Sequence, residues 1–204
     1  MQKHLKTALL LATGAALLSG CASYRAAPLS NLSSEVVYST QTPKNNDILV
    51  TARAFDKVDC KRYLDRNVIS RGYQPIQLYI QNNSDHRYSF ALNRIDLPYA
   101  RQDEVARKVH TSTVGRVLGY GVPGLIVFLP LLIPAVVDGM KSSEANDALD
   151  DDFSSKVARD QTINPHSHFN KIIFVPVSDY QNSFNLTLVD QESNTPRTFQ
   201  VSTT

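Results

Sequence analysis

The stretch PIQLYIQ at residues 75–81 indicates the fold class. Apolar side chains stand at every second position of it, so one face carries Ile76, Leu78 and Ile80. Such alternation is typical of a β-strand that turns one face to a core. The turn-forming run NNSD follows at residues 82–85, and residues 88–92 (YSFAL) alternate again. We therefore predict a β-hairpin over residues 75–92.

Further strand patterns lie on both sides of this hairpin, at residues 48–55, 171–177, 184–190 and 198–201. The dense β-branched run at 171–177 predicts a central strand, and the alternation in 184–190 places Phe184, Leu186 and Leu188 toward the core. Two β-rich halves result, residues 47–100 and 160–204. Together they span 99 residues, close to the roughly 100 of an immunoglobulin-like sandwich. We predict a mainly β fold, an immunoglobulin-like antiparallel sandwich over 47–204 with an inserted hydrophobic helical hairpin.

The turns between these strands carry a resemblance. An Asn-Ser turn follows one inner strand and a Pro turn precedes the next, at residues 82–85 and 191–196. This arrangement is similar to that of β-sandwich domains in bacterial envelope lipoproteins. The resemblance implies a fold and does not by itself imply a function.

The insert at residues 101–159 separates the two halves and differs from them in character. Residues 102–116 predict one helix with an acidic first turn, and residues 142–153 predict another, capped by Ser142 or Ser143. Between them, residues 117–137 (VLGYGVPGLIVFLPLLIPAVV) contain no charge. A helix of that length reaches about 31 Å, the thickness of a bilayer core. Its prolines and glycines predict instead two short helices or a re-entrant hairpin, bent near Pro130.

Three interpretations of residues 117–137 follow from this pattern. The segment dips into a membrane as a hairpin, or it is buried against the sandwich or a partner protein, including a second copy. In the third interpretation, the segment spans the membrane completely. One crossing would place the two β-rich halves on opposite sides of the membrane, so the predicted sandwich would then be wrong. The residues expected to contact membrane or partner are Leu125, Ile126, Phe128, Leu129, Leu131, Leu132 and Ile133.

The N-terminus resembles a bacterial lipoprotein signal. Lys3, His4 and Lys6 precede an apolar stretch at 7–18, and the sequence then reads LSGC at residues 18–21. These four residues resemble a lipobox, which implies cleavage between Gly20 and Cys21 and acylation of Cys21, including by palmitate. Residue 22 is Ala rather than Asp, which in this class favours an outer-membrane location facing the periplasm. We predict a signal peptide over 1–20 and a flexible lipid tether over 21–46.

Composition excludes one class of partner. Loss of Lys3 and Lys6 with the signal peptide leaves 19 basic and 19 acidic residues, so the mature chain is neutral. No basic stripe with interleaved aromatics is present, and nucleic acid is excluded as a partner. With Cys21 acylated, Cys60 is the one remaining thiol. Its place in residues 56–64 predicts a buried residue on the apolar face of a short helix with Leu64, the alternative being a reactive or intermolecular thiol.

Few residues point to catalysis. His166 and His168 have a spacing that can place two imidazoles on one strand face for zinc, but no third ligand lies near them in sequence. Asp150, Asp151 and Asp152 lack the glycine and distal Glu of a calcium loop. A triad built on Asp96 and His110 lacks a G-x-S-x-G elbow. The sequence thus predicts no catalytic residue, no metal and no cofactor.

The expected function is that of a non-enzymatic structural or interaction module, anchored in the bacterial cell envelope by its N-terminal lipid. The insert at 117–137 would contact the membrane, a partner protein or a second copy. The alternatives are a periplasmic metal-dependent hydrolase that uses His166 and His168, and a subunit of a pore or secretion complex.

Overall fold

The structure is a computed structural model that describes residues 23–32, 47–111 and 132–203, with the backbone alone over 132–141. The predicted signal peptide, Gly20 and Cys21 lie outside the described residues. So do most of the uncharged run and the residues Leu125, Ile126, Phe128, Leu129 and Leu131 expected to contact membrane or partner. Leu132 and Ile133 lie in a described helix, but only their backbone is described.

Seven strands and three α-helices make up the described part of the chain. The strands are β1 (Ile48–Ala54), β2 (Tyr73–Asn82), β3 (Tyr88–Phe90), β4 (Gln161–Ile163), β5 (Ser167–Pro176), β6 (Ser183–Asp190) and β7 (Pro196–Ser202). The helices are α1 (Lys57–Leu64), α2 (Gln102–Val109) and α3 (Leu132–Lys156). Short 3₁₀ turns occupy Ile69–Arg71, Leu92–Arg94 and Val177–Asp179.

The strands form two antiparallel sheets that pack as a β-sandwich, which confirms the prediction of a mainly β, antiparallel sandwich. Sheet A has the order β1-β2-β5, and sheet B has the order β4-β3-β6-β7. The alternating residues of each strand meet between the sheets, as Ile76, Leu78 and Ile80 do on β2 and Phe184, Leu186 and Leu188 do on β6. Phe90 of sheet B and Phe169 of sheet A have ring centroids 4.4 Å apart across this core.

The predicted hairpin over residues 75–92 is wrong. β2 pairs with β1 and β5 in sheet A, whereas β3 pairs with β4 and β6 in sheet B. The NNSD turn therefore carries the chain from one sheet to the other. Strand alternation specifies which side chains face a core, but it does not specify which strands pair.

The predicted central position of the strand at 171–177 is also wrong. β5 lies at an edge of sheet A. Its apolar run reflects burial of both faces, since Ile173 and Val175 face the sandwich core while Phe174 stacks at 5.5 Å on Phe153 of α3. The free edge of β5 is covered as well, because Ala158 N–H donates to the Ile172 carbonyl at 2.8 Å. Covering protects an edge strand from pairing with other chains.

The insert leaves and returns at neighbouring strands. β3 and β4 pair directly, with Phe90 opposite Gln161. Paired strands cannot lie on opposite sides of a membrane, so the interpretation of residues 117–137 as one complete span is wrong. Within the described ranges, no helix combines the length and the apolar character needed to cross a membrane.

The second helix of the insert starts earlier than predicted. α3 runs from Leu132 to Lys156, so neither Ser142 nor Ser143 caps it. Pro134 occupies the first turn, where a backbone N–H has no intrahelical acceptor and proline costs little. α2 starts at Gln102 with Asp103 and Glu104 in its first turn, as the sequence predicts.

The chain divides into two compact units. One contains Arg25–Val109 and Asp150–Thr204, and therefore the whole sandwich. The other contains His110–Leu149 together with the N-terminal residues up to Tyr24. Within this second unit, two hydrogen bonds join Thr111 and Asn146. The Thr111 N–H donates to Asn146 Oδ1 at 2.8 Å, and Asn146 Nδ2 donates to the Thr111 carbonyl at 3.2 Å.

Candidate functional site

The corner between β2 and β3 is built around a buried amide. Asn82 is fully buried, and its Nδ2 donates to the carbonyls of His86 at 2.7 Å and Asn164 at 2.9 Å. Its Oδ1 accepts from the Ser84 N–H at 3.0 Å. One side chain thus joins the β2–β3 connection to the β4–β5 connection. This explains why the NNSD run turns the chain between sheets.

The β6–β7 connection meets the same corner. The Gln191 N–H donates to the Arg87 carbonyl at 2.8 Å, which fastens residues 190–195 to residues 83–87. At the start of this connection Asp190 is nearly buried, and its Oδ1 accepts from the N–H groups of Glu192 at 2.8 Å and Ser193 at 3.1 Å. Burial raises the pKa of Asp190, but these bonds and one from His86 outweigh it and lower the pKa to about 2. Asp190 is therefore a carboxylate at neutral pH.

His86 lies between two carboxylates. Its Nδ1 is 2.8 Å from Asp190 Oδ2 and 2.9 Å from Glu192 Oε2. The side chain of His86 is 51% exposed and that of Glu192 is 41% exposed, whereas that of Asp190 is 10% exposed. Among the described residues, these three form the group of His, Cys, Asp or Glu side chains that could share one metal ion, with their ligand atoms all within 4.8 Å of one another. We name them the His86 cluster.

The predicted histidine pair does not converge on one point. His166 Nε2 is 3.0 Å from Asp85 Oδ1 in an exposed pair, while His168 stacks on Tyr79 with ring centroids 5.7 Å apart. Neither imidazole belongs to the His86 cluster. Among the described residues, no three-ligand group includes His166 or His168, so the structure adds no support to the metal-dependent hydrolase alternative.

Sequence reasoning missed the His86 cluster because its members are far apart in the chain. His86 and Asp190 are separated by 104 positions. The available signal was positional: each of the three lies at the end of a predicted strand or shortly after it. Every strand of a β-sandwich terminates at one of its two ends, so residues that follow different strands can lie close together. The sequence does not show which strands terminate at the same end.

The N-terminal segment 25–32 lies on the outer face of sheet A, although the sequence predicts a flexible tether there. The Ala27 N–H donates to the Arg62 carbonyl at 2.8 Å, and Leu32 is fully buried. The Ser30 carbonyl accepts from Gln77 Nε2 at 2.7 Å and from Asn170 Nδ2 at 3.1 Å. Gln77 of β2 is therefore buried beneath backbone from this segment, and Asn170 of β5 is partly covered by it. We name residues 25–32 the docked segment.

Asp65 and Lys156 fasten the docked segment at its start. The Asp65 carboxylate accepts from the Arg25 N–H at 3.0 Å and pairs with Lys61 and Arg66. Burial raises the pKa of Asp65, but the bonds from Lys61 and Arg25 outweigh it and hold the pKa below its ordinary value. Lys156 Nζ donates to the Ala27 carbonyl at 2.8 Å.

Cys60 occupies the buried position that the helical pattern predicts. It lies on α1 with Leu64, and both side chains are fully buried. Burial raises the pKa of the Cys60 thiol to about 11, so the thiol is protonated at neutral pH. A buried, protonated thiol is a poor nucleophile, which does not fit a reactive or intermolecular role.

The other predicted acidic sites are used structurally. Asp96 accepts from the Asn185 N–H at 2.5 Å and from its side-chain amide at 2.7 Å, so both carboxylate oxygens are occupied by one residue of β6. Asp152 pairs with Lys156 at 2.7 Å. Neither arrangement matches the triad or the calcium loop considered from the sequence.

A cleft of about 510 Å³ opens where the insert leaves the sandwich. Its floor is apolar, with Ile173 and Phe174 of β5, and Arg101 and Arg159 stand at its rim. Both arginines have partners: Arg101 pairs with Asp103 at 3.0 Å, and Arg159 donates to Gln102 and Ser154. The cleft brings together no group with an obvious catalytic role.

Comparison with known proteins gives no match, so a functional assignment rests on the geometry described above. No protein-family model matches the chain, and no curated protein or solved structure matches it either.

Proposed function

We propose that this chain is a lipid-anchored protein of the bacterial cell envelope, acting as a non-enzymatic interaction module. The lipobox at Leu18-Ser19-Gly20-Cys21 supports the anchor, and Ala22 supports an outer-membrane location facing the periplasm. The protein would present a β-sandwich to the periplasm, with the insert at 117–137 in contact with the membrane or a partner protein.

The observation that carries this proposal is the docked segment. Arg25 is already bonded to Asp65, only four residues after Cys21. A chain spans at most about 3.3–3.6 Å per residue, so the lipidated residue would lie within about 14 Å of the sandwich surface. A domain held that close to its anchor is suited to act at the membrane surface. A long flexible tether would instead let it act at a distance.

The strand order supports the immunoglobulin-like type. In a constant-type immunoglobulin domain the first, second, fifth and fourth strands form one sheet, and the third, sixth and seventh form the other. This chain has the same arrangement except for the fourth strand: β4 lies beside β3 in sheet B, not beside β5 in sheet A. The one difference follows from the insert, because β3 and β4 flank it and pair with each other.

The anchor is tested by expressing the full chain in a Gram-negative bacterium with a radiolabelled fatty acid. We expect the label on the chain and its recovery in the outer-membrane fraction. The matched control is Cys21→Ala, which removes the acylation site and should abolish both label and membrane recovery. Unlabelled wild-type protein would contradict the lipoprotein assignment.

The insert is tested separately, with residues 22–204 produced without signal or lipid. A version in which a short polar linker replaces residues 117–137 is the control. We expect the first protein to float with liposomes or to form a defined oligomer, and the second to remain monomeric with the same β-sheet circular dichroism. A monomeric first protein that ignores liposomes would show that the insert is not a contact surface.

A further inference from the structure

The His86 cluster has the spacing of a metal site. Nδ1 of His86 lies 2.8 Å from Asp190 Oδ2 and 2.9 Å from Glu192 Oε2. Zinc binds histidine nitrogen and carboxylate oxygen at about 2.0–2.2 Å, so two ligand atoms in a tetrahedral shell lie about 3.3 Å apart. The two distances from Nδ1 are within about half an ångström of this spacing, and the three ligand atoms all lie within 4.8 Å of one another.

The surrounding bonds aim one atom of each carboxylate at this point. Asp190 Oδ1 is held by the backbone N–H groups of Glu192 and Ser193, which leaves Oδ2 directed at His86. Glu192 Oε1 lies 3.4 Å from the Arg87 backbone nitrogen and 3.7 Å from Arg87 Nε, which leaves Oε2 on the same side. The His86 carbonyl accepts from Asn82 and fixes the loop. Such outer bonds orient the ligands in metal sites.

Charge favours a divalent cation over a proton. Two carboxylates approach a single imidazole nitrogen, and a proton on that nitrogen can be donated along a good line to only one of them. The other carboxylate then faces that nitrogen without a hydrogen bond to it. A divalent ion bonded to all three atoms compensates both carboxylates together.

We propose that His86, Asp190 and Glu192 bind a divalent transition-metal ion, with zinc as the first choice. One imidazole and two carboxylates suit zinc better than calcium, which takes six to eight oxygen ligands. The exposed side of the cluster leaves a fourth position for water or for a ligand from a binding partner. This site is independent of the lipid anchor and of the insert.

The test uses the purified full-length chain in detergent, stripped with a chelator and titrated with Zn²⁺ by calorimetry and with Co²⁺ by visible absorption. We expect one ion per chain and a cobalt spectrum of a tetrahedral site. His86→Ala and Glu192→Gln should each weaken binding at least about tenfold. Glu192→Gln keeps the shape of its side chain, and each chelator-treated variant should melt as chelator-treated wild type does, which separates lost binding from lost folding.

His168→Ala is the matched control, because His168 is an exposed imidazole on the neighbouring strand outside the cluster. It should bind both ions as wild type does. The proposal is overturned if wild type binds neither ion at millimolar concentration, because the cluster would then be only a hydrogen-bonded group of side chains. Equal affinity in all variants, loss of binding in His168→Ala alone, or a preference for Ca²⁺ over Zn²⁺ would overturn it as well.

Discussion

Lys156 connects three separate parts of the sandwich unit, and its replacement tests whether the docked segment stabilises the fold. Its Nζ donates to the carbonyls of Ala27 and Tyr63 at 2.8 Å each, and to Asp152 Oδ2 at 2.7 Å. The side chain is 8% exposed and that of Asp152 is 24% exposed. The ammonium is therefore buried with all three of its protons bonded, as a buried lysine requires.

Lys156→Met keeps an apolar stem of the same length as that of lysine up to Cε but removes the ammonium. Two buried carbonyls and one carboxylate then lose their donor, and breaking a buried charged pair costs about 3–5 kcal/mol. Asp152 is partly exposed and can recover water, so we expect the lower end, about 3 kcal/mol. For a chain of this size that corresponds to a melting temperature about 6–12 °C lower.

Urea denaturation followed by circular dichroism measures this change, because the chain has no tryptophan to report by fluorescence. The matched control is Lys171→Met, the same substitution at a lysine whose Nζ makes one exposed bond to the Ser155 carbonyl. The control should cost less than about 0.5 kcal/mol. Amide hydrogen exchange at Ala27 gives a local readout and should accelerate only in Lys156→Met.

One result would refute this reasoning directly. If Lys156→Met and Lys171→Met unfold at the same urea concentration with the same slope, the three bonds of Lys156 contribute nothing net. Loss of stability without faster exchange at Ala27 would show that Tyr63 and Asp152 account for the effect and that the docked segment does not.

Three further predictions concern single residues. Native Cys60 should resist alkylation at pH 8 and react fully in urea, because burial raises its pKa to about 11; reaction of the folded protein would contradict this. Asp65→Asn should destabilise the protein more at pH 7 than at pH 3. A carboxylate with a lowered pKa contributes stability that is present above its unfolded pKa of about 3.9 and lost as pH falls through the folded value. An equal effect at both pH values, measured by urea denaturation, would argue against it. Gly72→Ala should cost about 1–2 kcal/mol in the same assay, because φ is +92° while no atom lies within 4 Å of an added Cβ. A neutral result would show that the turn relaxes.

Local pattern predicted the elements well and their pairing poorly. The alternation in residues 75–81 correctly placed Ile76, Leu78 and Ile80 in the core. It could not show that β3 joins the other sheet, because that depends on the side chain of Asn82 reaching the Asn164 carbonyl. The apolar run at 171–177 predicts a strand that is buried on both faces. It does not show whether the strand has a hydrogen-bonded strand on both sides, so a central strand and a covered edge strand look the same in sequence.

The candidate site shows the same limit. In sequence, His86 and Glu192 are ordinary turn residues and Asp190 ends a predicted strand, and no ligand spacing connects His86 to the two acids. Only the meeting of the β2–β3 and β6–β7 connections brings their ligand atoms within 4.8 Å. His166 and His168 had a suggestive spacing, but the turn directs them to different partners.

The sequence by itself determined the mainly β class, the inward faces of the strands and the buried position of Cys60, because each follows from the period of apolar residues along a few positions. The lipobox prediction also rests on a local motif, at residues 18–21, and stays a prediction. The tertiary structure alone decided the sheet order, the burial of Gln77 beneath the docked segment and the assembly of the His86 cluster. The burial of Gln77 and the His86 cluster depend on contacts between distant residues, 47 positions apart for Ser30 and Gln77 and 104 for His86 and Asp190, whose formation is governed by packing of the whole chain.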